Sequence, residues 1–126
     1  MRRIGLLGGM SWESTAEYYR LINREVNQRL GGLHSAVIAS VDFAEVETLQ
    51  SAGAWDEAGH YLAERAVALQ AAGADVVVLC TNTMHRVADQ IEAALGVPLL
   101  HLADATAMAV QAAEVGTVGL LGTAFT

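Results

Sequence analysis

Two kinds of apolar pattern alternate along this chain. Short continuous apolar runs occur in RIGLL (3–7), SAVIASVDF (35–43), DVVVLC (75–80), PLLHL (98–102) and TVGLLGT (117–123). Runs of this length, rich in β-branched residues and bounded by glycine or polar groups, predict buried strands. Between them the apolar positions recur at helical spacing. Thr15, Tyr18, Tyr19, Ile22, Val26 and Leu30 form one such series, stopped by Gly31-Gly32. Ser11 is its expected cap, and Glu13 suits the positive helix start. A shorter helix is expected over 44–51 and broken by Gly53. A long one over 55–72 sets Ala58, Leu62, Ala66 and Leu69 on one face and ends at Gly73. Helices over 84–95 and 105–114 follow, the second capped by Asp104.

Strands alternating with helices imply right-handed β-α-β units, hence an α/β fold with a parallel sheet of four to five strands flanked by helices. Such sheets hold their ligands at the C-terminal strand ends. Here those ends read GGMS, VDF, TNTMH, HLAD and GTAFT, and the polar clusters of the chain gather there. IGLLGG (4–9) and VGLLGT (118–123) echo each other. The second copy is either a fifth strand of the same sheet or the opening strand of a second, similar domain. The latter reading divides the chain into a first domain over 1–114 and an opening strand over 115–126.

Composition narrows the function. A chain of 126 residues and 13.3 kDa buries roughly two-thirds of its unfolded surface, enough for one core. Hydrophobic residues at 53% against 17% charged exclude a disordered chain. Seven basic against fourteen acidic residues leave a net charge of −7, which repels phosphate backbones and argues against a nucleic-acid partner. Apolar stretches of about five residues fall far short of a membrane span. With one cysteine and no secretory signal, a reducing cytoplasmic setting is expected.

Chemistry concentrates in LCTNTMH (79–85). Asn82 and the hydroxyls of Thr81 and Thr83 are compact neutral hydrogen-bonding groups that, with the following helix start, suit an α-carboxylate. Capping of that helix by Asn82 or Thr83 is compatible with this role. Cys80 closes the apolar strand. Alternation sends it toward a helix layer if Thr81 faces the cleft, and no local Lys or Arg lowers its pKa, so it reads as a buried hydrophobe rather than a nucleophile. GLLGGMS lacks the spacing of nucleotide loops and offers a tight turn, plain or carboxylate-binding. His34, His60, His85 and His101 show no metal-ligand spacing. His85 either lines the cleft or sits on the helix surface, and His101 with Asp104 is equally open. Trp12 and Trp55 read as helix-start anchors, and Asp42 as a strand-end cap.

GLLGGMSWEST, LGGLHSA, SVDF and LCTNTMH, in this order, resemble the aspartate/glutamate racemase superfamily over essentially the whole chain. The resemblance implies one half of a two-domain racemase fold whose domains face each other across a cleft. It implies cofactor-independent racemisation of an amino acid, with one residue removing the α-proton and another returning a proton on the opposite face. Typical members use a cysteine directly before Asn-Thr, where this chain has Thr81. A similar subgroup shares the C-T-N-T arrangement with threonine in the acid/base position, so Thr81 inherits that role. By the same resemblance Met10, Gln50, Asn82, Thr83 and Thr123 contact substrate.

These expectations make the chain an aspartate- or glutamate-type racemase half that is weakly active or inactive alone. Nothing matches the second domain's G-C-T-E stretch. The alternatives are a non-catalytic domain binding acidic amino acids, or an oligomerisation module in which strand 116–122 pairs with another chain, as in a homodimer.

Overall fold

The computed structural model describes residues 2–32 and 35–125. The element order is β1 (Ile4–Gly8), α1 (Trp12–Leu30), β2 (Ala36–Ser40), α2 (Phe43–Ser51), α3 (Trp55–Ala71), β3 (Val76–Leu79), a 3-10 turn (Thr83–Val87), α4 (Ala88–Ala94), β4 (Leu99–Leu100) and α5 (Leu102–Ala112). The strands form one four-stranded sheet in the order β2-β1-β3-β4, parallel throughout. The expected α/β architecture is therefore the observed one.

Alternation along the central strands builds two apolar layers. Leu7, Val77 and Leu79 point to one face, where Val46, Leu62, Ala66, Leu69 and Ile91 from α2, α3 and α4 close over them. Leu6, Val78 and Cys80 point to the other, against Tyr18 and Ile22 of α1. The face expected on α3 is buried in full at Ala58, Leu62, Ala66 and Leu69. The stripe on α1 is narrower than its spacing suggests. Thr15 is buried, and Tyr18 and Ile22 pack on the sheet, whereas Tyr19 and Leu30 are exposed.

Several termini differ from the sequence reading. Ser11 stands at the N-cap of α1 but makes no side-chain cap bond. Gly9 N–H instead donates to Thr15 Oγ1 at 2.9 Å, and the Thr15 hydroxyl donates to the Ser11 carbonyl at 3.3 Å. A hydroxyl one turn inside the helix thus ties down the preceding loop. Asn82 makes no side-chain cap bond either, and the helix expected over 84–95 opens as a 3-10 turn before α4. α5 begins earlier than expected, because His101 Nδ1 accepts from Ala103 N–H at 3.2 Å and caps it, leaving Asp104 in the first turn. Asp42 does cap α2, accepting from Ala44 N–H at 2.9 Å. Gly31, Gly53 and Gly73 take positive φ at the three helix ends where glycine was expected.

Trp55 packs on the core with the Arg86 guanidinium 4.3 Å above its ring. Trp12 is 67% exposed and anchors nothing. His34 lies outside the described residues. The stretch 117–123 forms no strand, so it is not a fifth strand of this sheet. β1 is paired on both edges, whereas its echo pairs with no strand among the described residues, and Leu120 and Leu121 stand 78% and 93% exposed.

The turn after β1 depends on absent side chains. A Cβ at Gly8 would overlap the Thr15 side chain, and one at Gly9, where φ is +95°, would overlap the Val41 backbone. Gly8→Ala is expected to destabilise the chain by about 1–3 kcal/mol through overpacking. Thr15→Ala removes the two nearer of the three clashing atoms and leaves its Cβ at 2.8 Å, so a double-mutant cycle by urea denaturation should return less than the sum of the two single losses. Leu79→Ala, which truncates a fully buried side chain, should cost about 2–5 kcal/mol, read as a lower urea midpoint at unchanged m.

Candidate active site

The register of β1 and β3 decides what emerges at the rim of the sheet. Leu7 lies opposite Leu79, and Cys80 N–H then donates to the Leu7 carbonyl at 2.9 Å. Pairing thus extends one residue beyond β3, and the next residue out is Thr81. Across from it the chain leaves β1 through Gly8 and Gly9 to Met10, where the Met10–Ser11 peptide is cis. The two loops face each other at the C-terminal edge of the sheet, where parallel folds of this kind form their clefts.

Met10, Ser11, Ser14, Thr81, Asn82, Thr83, Gly122 and Thr123 line a cleft of about 290 Å³. Of the residues singled out by resemblance, Met10, Thr81, Asn82, Thr83 and Thr123 meet there. Gln50 does not line it; it is half-buried on α2. Ser11 and Ser14 are additions. Ser14 Oγ donates to the Cys80 carbonyl at 3.1 Å, tying the first turn of α1 to the peptide that carries Thr81. The spacing Ser11-x-x-Ser14 at a helix start was the available signal, because residues three apart share a helix face.

All eight lining residues are uncharged at neutral pH. The cleft offers hydroxyls, one amide and backbone groups, a set suited to hydrogen-bonding a small polar molecule. A long helix dipole does not serve the Asn82–Thr83 turn, because the five-residue 3-10 turn and seven-residue α4 replace the continuous helix expected there. Local N–H groups are what remain for an anion at this point.

Cys80 lies on the other side of the strand. It is fully buried with Leu6 and Val78 and lines no part of the cleft. Burial pushes its thiol up to about 12, far from a nucleophile poised near neutrality. Thr81, one residue on and half-buried, opens to the cleft. Strand alternation thus seats the cysteine in a helix layer and the threonine at the rim.

His85 lies outside this cleft, on the wall of an adjoining cavity that also takes in Asn82, Leu102 and Thr106. It is half-buried, its Nε2 accepts from Leu102 N–H at 3.1 Å, and its ring meets that of His101 edge-on at 4.4 Å between centroids. Burial, then the neighbouring His101, push its pKa down, against a smaller opposing pull from the carbonyls of Thr81 and Asn82. Among the described residues no three His, Cys, Asp or Glu side chains gather to hold a metal ion. No helix among them is long and apolar enough to cross a membrane.

Known proteins share this architecture. The chain is 55% identical to a candidate Asp/Glu racemase from Yersinia pestis, superposing on its crystal structure with a TM-score of 0.92. The match covers 100% of this chain and 56% of that one. An aspartate racemase homologue from Pyrococcus horikoshii OT3 superposes with a TM-score of 0.77 at 29% identity, over 90% of this chain and 50% of that one. The chain therefore spans about half the length of these relatives. Residues 7–126 match the family described as Asp/Glu/Hydantoin racemase, a span that takes in both loops of the cleft, and the chain belongs to that family.

Proposed function

We propose that this chain supplies one wall of a cofactor-independent amino-acid racemase site, with Thr81 handling the proton on its side. The observation that carries the reading is the meeting of Thr81, Asn82, Thr83 and Met10 in one cleft at the rim of the sheet. Asn82, Thr83 and the turn's N–H groups orient an aspartate- or glutamate-type substrate. Thr123 approaches from the far side, while Gln50 rests on the resemblance alone. A threonine hydroxyl is a weak base, so Thr81 donates or relays a proton to the planar intermediate, and a stronger base works from the opposite face.

That opposite face is assigned to a second, similar domain, of which residues 115–126 are the opening segment. Exposed apolar surface supports the division. Val118, Leu120 and Leu121 stand in solvent, and α5 buries none of its residues. Apolar surface gathered in this way favours covering by another protein surface. The 126-residue chain alone then holds an incomplete site.

The test is α-proton exchange of L- and D-aspartate and glutamate in heavy water. The chain alone is expected to exchange slowly or not at all, and Thr81→Ala should abolish any exchange that occurs while Thr81→Ser retains part of it. Full turnover by the 126-residue chain would overturn the half-site. Calorimetric binding without exchange, unaffected by Thr81→Ala, would make this a binding domain instead.

The assignment of Cys80 as structural carries its own test. A thiol whose folded pKa is raised contributes stability that is whole below the ordinary thiol range and is lost as pH climbs toward the folded value of about 12. Cys80→Ala is expected to flatten the alkaline limb of the stability–pH curve above about pH 9, by up to about 1.4 kcal/mol per pH unit. In the native chain at pH 7 the thiol should resist a disulfide reagent that labels it at once in urea.

A further inference from the structure

The peptide units around Thr81 are held from two directions. On one side the Ser14 hydroxyl donates to the Cys80 carbonyl at 3.1 Å. On the other, the His85 backbone N–H donates to the Asn82 carbonyl at 3.1 Å, so the 3-10 turn that carries the imidazole starts on this peptide. The same ring accepts the Leu102 N–H through Nε2 at 3.1 Å. Leu102 opens α5, and the residue before it, His101, caps that helix and lies edge-on to His85.

We propose that His85 is a positioning residue: its backbone N–H holds the Asn82 carbonyl and its ring accepts the first N–H of α5, locking the cleft wall to the start of that helix. The chemistry selects this side chain. A neutral imidazole carries one donor and one acceptor on a rigid ring, and which nitrogen holds the proton follows from the bonds the two make. An N–H partner at Nε2 places the proton on Nδ1. Protonation would put a second N–H where Leu102 already donates. Burial and the adjacent His101 oppose that step, so the joint stays closed in the neutral state.

The role rests on the reading of Thr81 given above, since holding its peptide matters for proton handling only if Thr81 handles one. Without His85 the turn keeps the Ser14 bond on one flank and loses the tie to α5 on the other. Thr81 Oγ1 then has more freedom relative to the Met10–Ser11 loop, and positioning of reacting groups is sensitive to such displacements.

The experiment reads the joint itself rather than turnover. In the 15N,13C-labelled chain near pH 7.5, long-range proton–nitrogen correlations are expected to show His85 protonated at Nδ1 with a bare Nε2. In His85→Ala the Thr81 and Asn82 carbonyl signals should shift, and the Leu102 amide should exchange about tenfold faster. His85→Gln, whose Oε1 can reach the same donor, should restore much of the Leu102 protection. A proton on Nε2, or unchanged carbonyl signals and Leu102 exchange in His85→Ala, would overturn the proposal. The tautomer is read in the unsubstituted chain, so it decides even if the variants fold poorly. Because no step depends on racemisation, failure of the functional reading and failure of the joint are separate outcomes.

Discussion

The structure depends on the pairing of β1 with β3. Both strands are interior to the sheet, and their side chains at Leu6, Leu7, Val77 and Leu79 are buried on alternate faces. A slip of one residue would exchange the two faces, sending Leu79 toward α1 and Cys80 toward α3, so that neither helix layer would meet the side chains it packs on. Register is therefore held by the whole core rather than by any group in the cleft. The bond from Cys80 N–H to the Leu7 carbonyl carries that register to the last position where it matters. What emerges beyond it is Thr81 beside Gly8-Gly9-Met10.

From this constraint the division of labour between adjacent residues follows. Cys80 and Thr81 share a peptide bond, but the pleat turns them to opposite sides. One enters the dry layer beneath α1, where its thiol stays protonated; the other meets solvent among hydroxyls and an amide. A thiol and a hydroxyl exchanged between these two positions would place a soft, ionisable group in the cleft and bury a hydroxyl that needs a hydrogen-bond partner. As it stands, the apolar group serves packing and the polar group serves the cleft.

The loop on the β1 side is held by other means. Thr15 is the buried polar residue of α1, and its hydroxyl serves both the Gly9 N–H and the Ser11 carbonyl. Gly8 and Gly9 leave the room that this contact occupies. By spacing alone, Thr15 begins an apolar helix stripe and Ser11 is the natural cap. In the fold the capping role moves one turn inward, and Ser11 is left to line the cleft with Ser14.

The sequence by itself determined the alternation of strands and helices, the parallel sheet, the buried face of α3, the glycine-terminated helix ends and the gathering of polar residues at strand ends. Each follows from periodicity or backbone chemistry within a few residues, so no distant partner is needed to see it. Motif resemblance added the identity of most cleft residues. Only the tertiary structure decided that the His85 ring accepts the first N–H of α5, that Ser14 reaches the Cys80 carbonyl, that His101 rather than Asp104 caps α5, and that 117–123 lies outside the sheet. Those outcomes depend on contacts between segments far apart in the chain, or on whether a strand-forming sequence finds a free edge. Local pattern carries no information about either.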